Sequence, residues 1–342
     1  MSRMKAAVFY GVKDLRLEEV PLRKLRSDEL LVKIHACGVC GTDVHIYEGA
    51  KGSATVYPPV VLGHEFSGEI VEIGNGVRQL KVGDRISVDP NIFCGQCHFC
   101  KKGNVHLCEN LQAIGVTRNG GFAEYAIVPE KQAYKLPDNL SYEEGAMGEP
   151  VACCLHGIDL SGIKHGDKVL IVGAGTIGLI MVQLTKLAGA SQIIVSESIK
   201  EKRSIALKYG ADVVIDPEIS AVDKQVKEVV PQGVDVAIEC VGTKRTMLNA
   251  IQSCARGGNV MMFGLAPPDC EIPLKPFEVF QRELTIKSSF INPFTQARAL
   301  DLLGSRKIRV ADFIADVIQL DQLRKVFEDR KYRSRGKVII ST

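Results

Sequence analysis

The feature that most constrains the fold is a glycine motif that directly follows an apolar strand. Residues Val169–Val172 form a short apolar run, and the chain continues as Gly-Ala-Gly-Thr-Ile-Gly into a second apolar stretch. In this setting a G-x-G-x-x-G motif predicts a strand, a tight turn and a helix whose N-terminus receives a pyrophosphate. A glycine-rich turn that binds nothing is the alternative, and the flanking strand and helix favour the dinucleotide site. The predicted phosphate-binding residues are Gly173, Gly175, Thr176, Ile177 and Gly178.

The pattern on either side of this motif predicts two domains. At 342 residues the chain exceeds what one hydrophobic core usually fills. Residues 156–290 alternate strand and helix patterns, which predicts an α/β domain with a doubly wound parallel sheet. Residues 1–155 alternate short β-like runs with turns, and residues 291–342 are expected to rejoin them in one mostly-β catalytic domain, with a cleft between the two domains. The predicted parallel strands are Lys168–Val172, Gln192–Glu197, Val213–Ile215, Val234–Glu239 and Asn259–Phe263.

The ends of three predicted strands supply the remaining cofactor contacts. Glu197 ends the strand after the glycine motif, where a carboxylate accepts hydrogen bonds from ribose hydroxyls and repels a 2′-phosphate. This favours NAD over NADP. Lys202 and Arg203 follow on the next helix, where both are best explained as solvated residues, although either could reach a 2′-phosphate. Val241 and Phe263 complete the predicted set.

A dense cysteine run predicts a structural metal site in a lobe at about residues 90–110. Four cysteines follow a C-x2-C-x2-C-x7-C spacing, which suits a Zn²⁺ ion held by four thiolates. An iron–sulfur cluster is a weaker interpretation, because the last cysteine is followed by glutamate rather than proline. Disulfides remain a further alternative. The predicted structural ligands are Cys94, Cys97, Cys100 and Cys108.

A second set of metal-binding residue types is spread over three short motifs. Cys40 lies in Gly-Val-Cys-Gly-Thr-Asp-Val-His, His64 and Glu65 are adjacent, and Glu149 stands between a glycine and a proline. Each residue alone is more often a packed or hydrogen-bonded side chain than a ligand. Together they offer thiolate, imidazole and carboxylate, the mixture that a catalytic Zn²⁺ site uses when it keeps a fourth position open.

Composition excludes several other classes of function. The 43 basic and 40 acidic residues give a net charge of +3, and no run of like charges suggests nucleic acid as a partner. The longest uncharged stretch, Val169–Thr185, is short and rich in glycine, so we predict no membrane span. The N-terminal residues Met1–Gly11 lack the apolar segment of a signal peptide, which favours the cytoplasm and reduced thiols.

Taken together, these motifs resemble those of the zinc-containing medium-chain dehydrogenases, over essentially the whole chain. The resemblance implies a GroES-like mostly-β catalytic domain with a Rossmann domain, two zinc ions per subunit, and a homotetramer or homodimer. It implies that Cys40 and His64 bind the catalytic zinc, with either Glu65 or Glu149 completing the shell. It further implies a proton relay from the substrate hydroxyl through Thr42 to His45. Thr42, His45 and Glu65 are the catalytic residues that it predicts.

Within that family the motifs around Cys40, Glu149 and Arg282–Phe290 are similar to the polyol branch of sorbitol, arabitol, butanediol and threonine dehydrogenases. We therefore predict a zinc-dependent oxidoreductase that transfers a hydride from a secondary alcohol, a polyol or sugar alcohol, to NAD. An L-threonine 3-dehydrogenase or a 2,3-butanediol dehydrogenase is the first alternative. A zinc-ribbon protein that binds nucleic acid and senses redox state is a remote one, because basic residues are dispersed and no tryptophan is present for stacking.

Overall fold

The computed structural model describes residues 3–50 and 54–342, which form two compact units. One unit comprises Met1–Ala152 with Ile291–Thr342, and the other comprises Cys153–Phe290. The strands are β1 (Arg3–Gly11), β2 (Asp14–Pro21), β3 (Glu29–Gly38), β4 (Val60–Val61), β5 (Glu65–Ile73), β6 (Arg85–Val88), β7 (Asn91–Ile92), β8 (Gln112–Ala113), β9 (Tyr125–Pro129), β10 (Ala133–Lys135), β11 (Lys168–Val172), β12 (Gln192–Ser196), β13 (Val213–Ile215), β14 (Val234–Glu239), β15 (Cys254–Met262), β16 (Thr285–Ser288), β17 (Ile314–Gln319) and β18 (Lys337–Ser341).

Helices connect these strands in both units. The α-helices are α1 (Gly41–Tyr47), α2 (His98–Lys101), α3 (Tyr142–Ala146), α4 (Gly148–Ser161), α5 (Thr176–Leu187), α6 (Lys200–Tyr209), α7 (Val222–Val229), α8 (Lys244–Ser253), α9 (Pro276–Arg282), α10 (Gln296–Gly304), α11 (Leu323–Glu328) and α12 (Arg330–Arg335). Short 3₁₀ turns lie at Val105–Leu107, Glu130–Gln132, Ala311–Phe313 and Leu320–Gln322. Within the described ranges, no helix combines the length and the apolar character that crossing a bilayer requires.

The second unit is built on a parallel sheet of six strands. Their order is β13-β12-β11-β14-β15-β16, so the chain winds outward from β11 in both directions. Strands buried on both faces need continuous apolar runs, and Val169, Leu170 and Ile171 are completely buried. The strand order is that of a Rossmann domain, in which ligands bind at the carboxyl ends of the strands where the winding reverses. The structure confirms the predicted fold class.

One strand of this sheet is longer than the sequence pattern predicted. We expected a strand over Asn259–Phe263, whereas β15 begins at Cys254. Two adjacent glycines lie in the added segment, and the pairing with β14 shifts register between Val234 and Val236. Because an irregularity of this kind interrupts the alternation of apolar and polar residues, the first half of β15 carries no clear strand signal.

The first unit is organised around β3. This strand pairs with β5, β9 and β18, and it alternates buried apolar residues such as Val32 and Ile34 with more exposed ones. At its carboxyl end, Gly38 lies opposite Glu65 of β5 and opposite Ile339 of β18. Segments that are far apart in the sequence therefore meet at the end of β3, immediately before Cys40.

Candidate active site and metal centres

The four cysteines of the predicted lobe lie together. The sulfur atoms of Cys94, Cys97, Cys100 and Cys108 are all within 4.8 Å of one another. Backbone N–H groups point at these sulfurs: Cys97 N donates to Cys94 Sγ at 3.4 Å, and Asn110 N donates to Cys108 Sγ at 3.3 Å. The N–H groups of Gln96 and Cys97 lower the pKa of Cys94 to about 6. Thiolates held in this way fit a four-coordinate zinc ion.

A second cluster lies at the end of β3. Ligand atoms of Cys40, His64 and Glu65 are all within 4.8 Å of one another. Cys40 is the N-cap of α1, while His64 immediately precedes β5 and Glu65 begins it. His64 and Glu65 are buried, and Cys40 is partly buried. One thiol, one imidazole and one carboxylate form a donor set that fits a catalytic zinc site with a free position.

Asp43 orients this cluster, and the sequence analysis assigned it no role. Its carboxylate accepts a hydrogen bond from Cys40 N at 2.9 Å and lies 3.3 Å from Nδ1 of His64. A carboxylate behind the imidazole is the usual second partner of a metal-binding histidine. Burial alone lowers the pKa of His64, but the charges of Asp43 and Cys40 raise it well above its usual range. An aspartate three residues after an N-cap residue is the sequence signal for this contact.

Lys337 is the second residue that sequence reasoning missed. Its ammonium group is buried, forms an ion pair with Glu65 Oε2 and donates to Val39 O at 3.2 Å. Burial by itself lowers the pKa of Lys337, but the charges of Glu65 and Cys40 raise it above its usual value. No short-range pattern identifies this lysine, because β18 brings it to the site from the far end of the chain.

The other predicted residues of the catalytic site lie in α1 and α4. Thr42 is in the first turn of α1 and His45 is in its last turn, and both side chains are partly buried. Residues three apart on a helix lie on the same face, as the proposed relay requires. Glu149 is buried in the first turn of α4. It is close enough to Lys337 to raise the pKa of that lysine, but it is not part of the cluster within 4.8 Å.

The glycine motif has the geometry of a phosphate-binding turn. Gly173 follows β11 with φ +99°, a conformation that residues with a side chain rarely adopt. Gly175 is the N-cap of α5, so Thr176 and Ile177 open that helix. A Cβ atom on Gly178 would overlap the carbonyl oxygen of Gly173, so the helix packs directly on the turn. The N-terminus of α5 is thus available to an anion.

Glu197 lies beside this turn, immediately after β12. Its Oε2 accepts a hydrogen bond from Ala174 N at 2.8 Å, and its Oε1 accepts one from Ile199 N at 2.9 Å. Arg203 lies on α6 and is committed elsewhere: it donates to the carbonyl oxygen of Glu197 at 2.6 Å and pairs with Asp216 at 3.0 Å. The side chain of Lys202 is partly buried on the same helix.

A buried carboxylate shapes the turn that follows β14, and the sequence pattern did not predict this role. Glu239 ends β14 and is completely buried, and its Oε1 accepts hydrogen bonds from Val241 N and Gly242 N, both at 2.8 Å. The Val241 side chain is about half exposed, at 48%, and approaches Gly173. Phe263 follows β15 and donates its N–H to Glu239 O at 2.9 Å. The predicted cofactor residues therefore lie at the carboxyl ends of adjacent strands.

Comparison with protein families gives two matches along the chain. Residues 26–138 match the alcohol dehydrogenase GroES-like domain, and residues 176–304 match the zinc-binding dehydrogenase family. The first match contains both metal clusters, and the second begins at the opening of α5.

Known proteins resemble the chain over nearly its full length. L-threonine 3-dehydrogenase of Pyrococcus furiosus is 36% identical, with 98% of this chain and 97% of the relative covered. Sorbitol dehydrogenase of Bacillus subtilis is 34% identical, with 95% of this chain and 93% of the relative covered. A protein from Sinorhizobium meliloti 1021, solved bound to NADP, is 43% identical and superimposes with a TM-score of 0.95 over 100% of both chains. The chain therefore belongs to the zinc-binding alcohol dehydrogenases with a GroES-like domain, a family of oxidoreductases.

Proposed function

We propose that this protein oxidises a secondary alcohol, of the polyol or sugar-alcohol class, and transfers the hydride to NAD. The observation that carries the proposal is the cluster of Cys40, His64 and Glu65, whose ligand atoms lie within 4.8 Å of one another. The name of the Bacillus subtilis relative, a sorbitol dehydrogenase, supports the substrate class. A partly buried thiol beside a buried imidazole and a buried carboxylate fits an open zinc site, whereas the four-cysteine lobe fits a closed one.

The proposed chemistry divides between the bound groups and the protein. Zinc, when bound, would act as a Lewis acid toward the alcohol oxygen, and bound NAD would provide the hydride acceptor. Cys40, His64 and Glu65 hold the metal, and we place Glu149 next to this set as the alternative carboxylate. Thr42 accepts the hydrogen bond of the substrate hydroxyl, and His45 carries its proton outward. The four-cysteine lobe holds the second zinc ion, which makes two per chain.

The role of Thr42 leads to a first prediction. Thr42→Val removes the hydroxyl and keeps the shape of the side chain, so we expect kcat to fall by about 10²-fold or more with little change in cofactor binding. Thr55→Val serves as the control, because Thr55 is an exposed threonine outside the site. Steady-state kinetics with saturating NAD give the measurement. An unchanged kcat would remove Thr42 from the relay.

We propose NAD rather than NADP as the preferred cofactor. Glu197 lies beside the phosphate-binding turn, and its oxygens retain lone pairs that can accept from ribose hydroxyls. Its negative charge would oppose a 2′-phosphate. Arg203, one of the two candidates for a phosphate partner, is already paired with Asp216. The NADP found with the Sinorhizobium meliloti protein makes this preference worth a direct test.

A substitution that removes the negative charge of Glu197 provides that test. Glu197→Gln should raise KM for NAD by roughly 10-fold to 100-fold, because charge-assisted hydrogen bonds are lost. It should at the same time improve kcat/KM for NADP. Glu201→Gln is the matched control, since Glu201 is an exposed glutamate on α6, the helix that follows Glu197. Wild-type protein that already prefers NADP, or a Glu197→Gln variant with unchanged selectivity, would contradict the assignment.

An L-threonine 3-dehydrogenase is the second candidate function. The similarity of the chain to the Pyrococcus furiosus enzyme, at 36% identity, supports it. The two candidates are separated by a panel of sorbitol, arabitol, xylitol, 2,3-butanediol and L-threonine, with NADH absorbance as the readout and zinc content measured on the same protein. We expect the highest kcat/KM with a sugar alcohol. Activity confined to L-threonine would select the alternative.

We further propose a homodimer or homotetramer in the cytoplasm. Phe277 and Phe280 on α9 are 69% and 81% exposed, and β16 lies at the edge of the parallel sheet beside them. Exposed aromatic side chains beside an unpaired strand edge favour burial against a second copy. All eleven cysteines are free thiols, which suits a reducing compartment. Light scattering after size-exclusion chromatography measures the oligomeric state.

A further inference from the structure

Lys337 is a buried cation placed among the acidic groups of the proposed catalytic zinc site. Its side chain is only 8% exposed, and it interacts electrostatically with Glu65, Cys40 and Glu149. Burying a lysine is costly unless its charge is matched by a partner. The partner here is Glu65, which is itself only 3% exposed at its side chain. One member of this buried ion pair, Glu65, is also a proposed ligand of the catalytic zinc.

The sheet fixes the position of this pair. Gly38 of β3 lies opposite Glu65 on one side and opposite Ile339 on the other. Lys337 is two residues before Ile339, so its side chain points to the same face of the sheet as that of Glu65. A Cβ atom on Gly38 would overlap Glu65 Oε2 and lie 3.2 Å from Cε of Lys337. The missing side chain of Gly38 therefore provides the space in which the ammonium group meets the carboxylate.

We propose that Lys337 is a positioning residue for the catalytic zinc: it holds Oε2 of Glu65 and leaves Oε1 to the metal. This inference rests on the proposed function. A carboxylate restrained in this way contributes one oxygen, so the metal keeps a position for the substrate. The ammonium charge also offsets part of the negative charge of Glu65, Cys40 and Glu149, which preserves the Lewis acidity of the ion. Outer partners of ligating carboxylates commonly tune a site in this manner.

The proposal predicts opposite effects on zinc binding and on catalysis. In a Lys337→Met variant, Glu65 regains its second oxygen and loses its buried counter-charge. We expect this variant to bind the catalytic zinc roughly 10-fold more tightly, because a positive charge close to the metal is removed. We expect kcat to fall by about 10-fold to 100-fold, the range of losses found for groups that orient metal ligands. Lys337→Arg retains the positive charge, so its zinc affinity should stay close to that of the wild type.

The experiment is competition between the protein and a zinc chelator, followed by metal analysis and thermal unfolding. Thermal unfolding of the loaded and stripped proteins separates a metal-linked effect from a general loss of stability. Lys337→Met should enlarge the stabilisation that zinc provides, because the metal replaces the missing positive charge. A purely structural role for Lys337 would instead destabilise both forms equally.

A double substitution keeps the test decisive if Lys337→Met does not fold. In the Glu65→Gln background the carboxylate that Lys337 holds is gone, so adding Lys337→Met should raise zinc affinity by about 3-fold at most, from the remaining effect of the ammonium charge on Cys40 and Glu149. Unchanged or weaker zinc binding by Lys337→Met would overturn the proposal, and so would a gain of about 10-fold or more when Lys337→Met is added to Glu65→Gln. A wild-type protein that retains zinc in the cysteine lobe alone would instead refute the proposed function, so the two failures are distinguishable.

Discussion

Replacing Cys40 with serine should reduce turnover by roughly 10³-fold, because a bound metal ion contributes several kcal/mol of charge stabilisation. A hydroxyl oxygen is a poor substitute for a thiolate, so the variant should also contain one zinc ion fewer per chain than the wild type. Cys40 caps α1 through its backbone, which the substitution preserves. The expected result is therefore a folded and almost inactive protein. Metal analysis and steady-state kinetics on the same preparation provide the measurement.

The matched control is Cys37→Ala, because Cys37 lies in β3, three residues before Cys40. Cys37 is completely buried, and its sulfur packs near Gly63 and Gly121, outside the metal cluster. We expect this variant to keep both zinc ions and most of its turnover, with a loss of stability of about 1 kcal/mol or more for the small cavity. If Cys37→Ala lost zinc and Cys40→Ser kept it, the assignment of the two cysteines would have to be exchanged.

Local sequence patterns were sufficient wherever neighbouring residues determine the structure. The glycine motif predicted the turn between β11 and α5 because a positive φ at Gly173 and close packing at Gly178 are requirements of the backbone itself. The four cysteines of the lobe lie within fifteen consecutive residues, Cys94–Cys108, so their grouping followed from spacing alone. Apolar runs predicted β11 and β14 with the boundaries that the structure has.

Contacts that depend on strand pairing could not be predicted from local sequence patterns. Lys337 reaches Glu65 because β18 pairs with β3 and β3 pairs with β5, and no periodicity in the sequence specifies that order. Glu239 is similar: a glutamate at the end of an apolar strand gave no sign that it would be fully buried against a turn. Both residues break the rule that charged side chains stay at the surface. Such exceptions are concentrated at functional sites.

Replacing Cys108 with serine should destabilise the protein without acting on the catalytic cluster. Cys108 Sγ accepts hydrogen bonds from Cys94 N and Asn110 N, both at 3.3 Å, and its thiol belongs to a small apolar cluster with Cys100 and Val105. The lobe has few apolar contacts of its own, so zinc binding supplies much of its folding free energy. We expect the melting temperature to fall by roughly 10 °C, with one zinc ion lost per chain.

The contrast between this variant and Cys40→Ser tests the division into a structural and a catalytic metal. Cys270→Ser is the control for the lobe, because Cys270 is a partly buried cysteine outside both clusters and should leave zinc content unchanged. Below its melting temperature, Cys108→Ser should retain most of its kcat, since Cys40, His64 and Glu65 lie on other elements. A Cys108→Ser protein with wild-type stability and no activity would mean that the lobe, and not the end of β3, carries the chemistry.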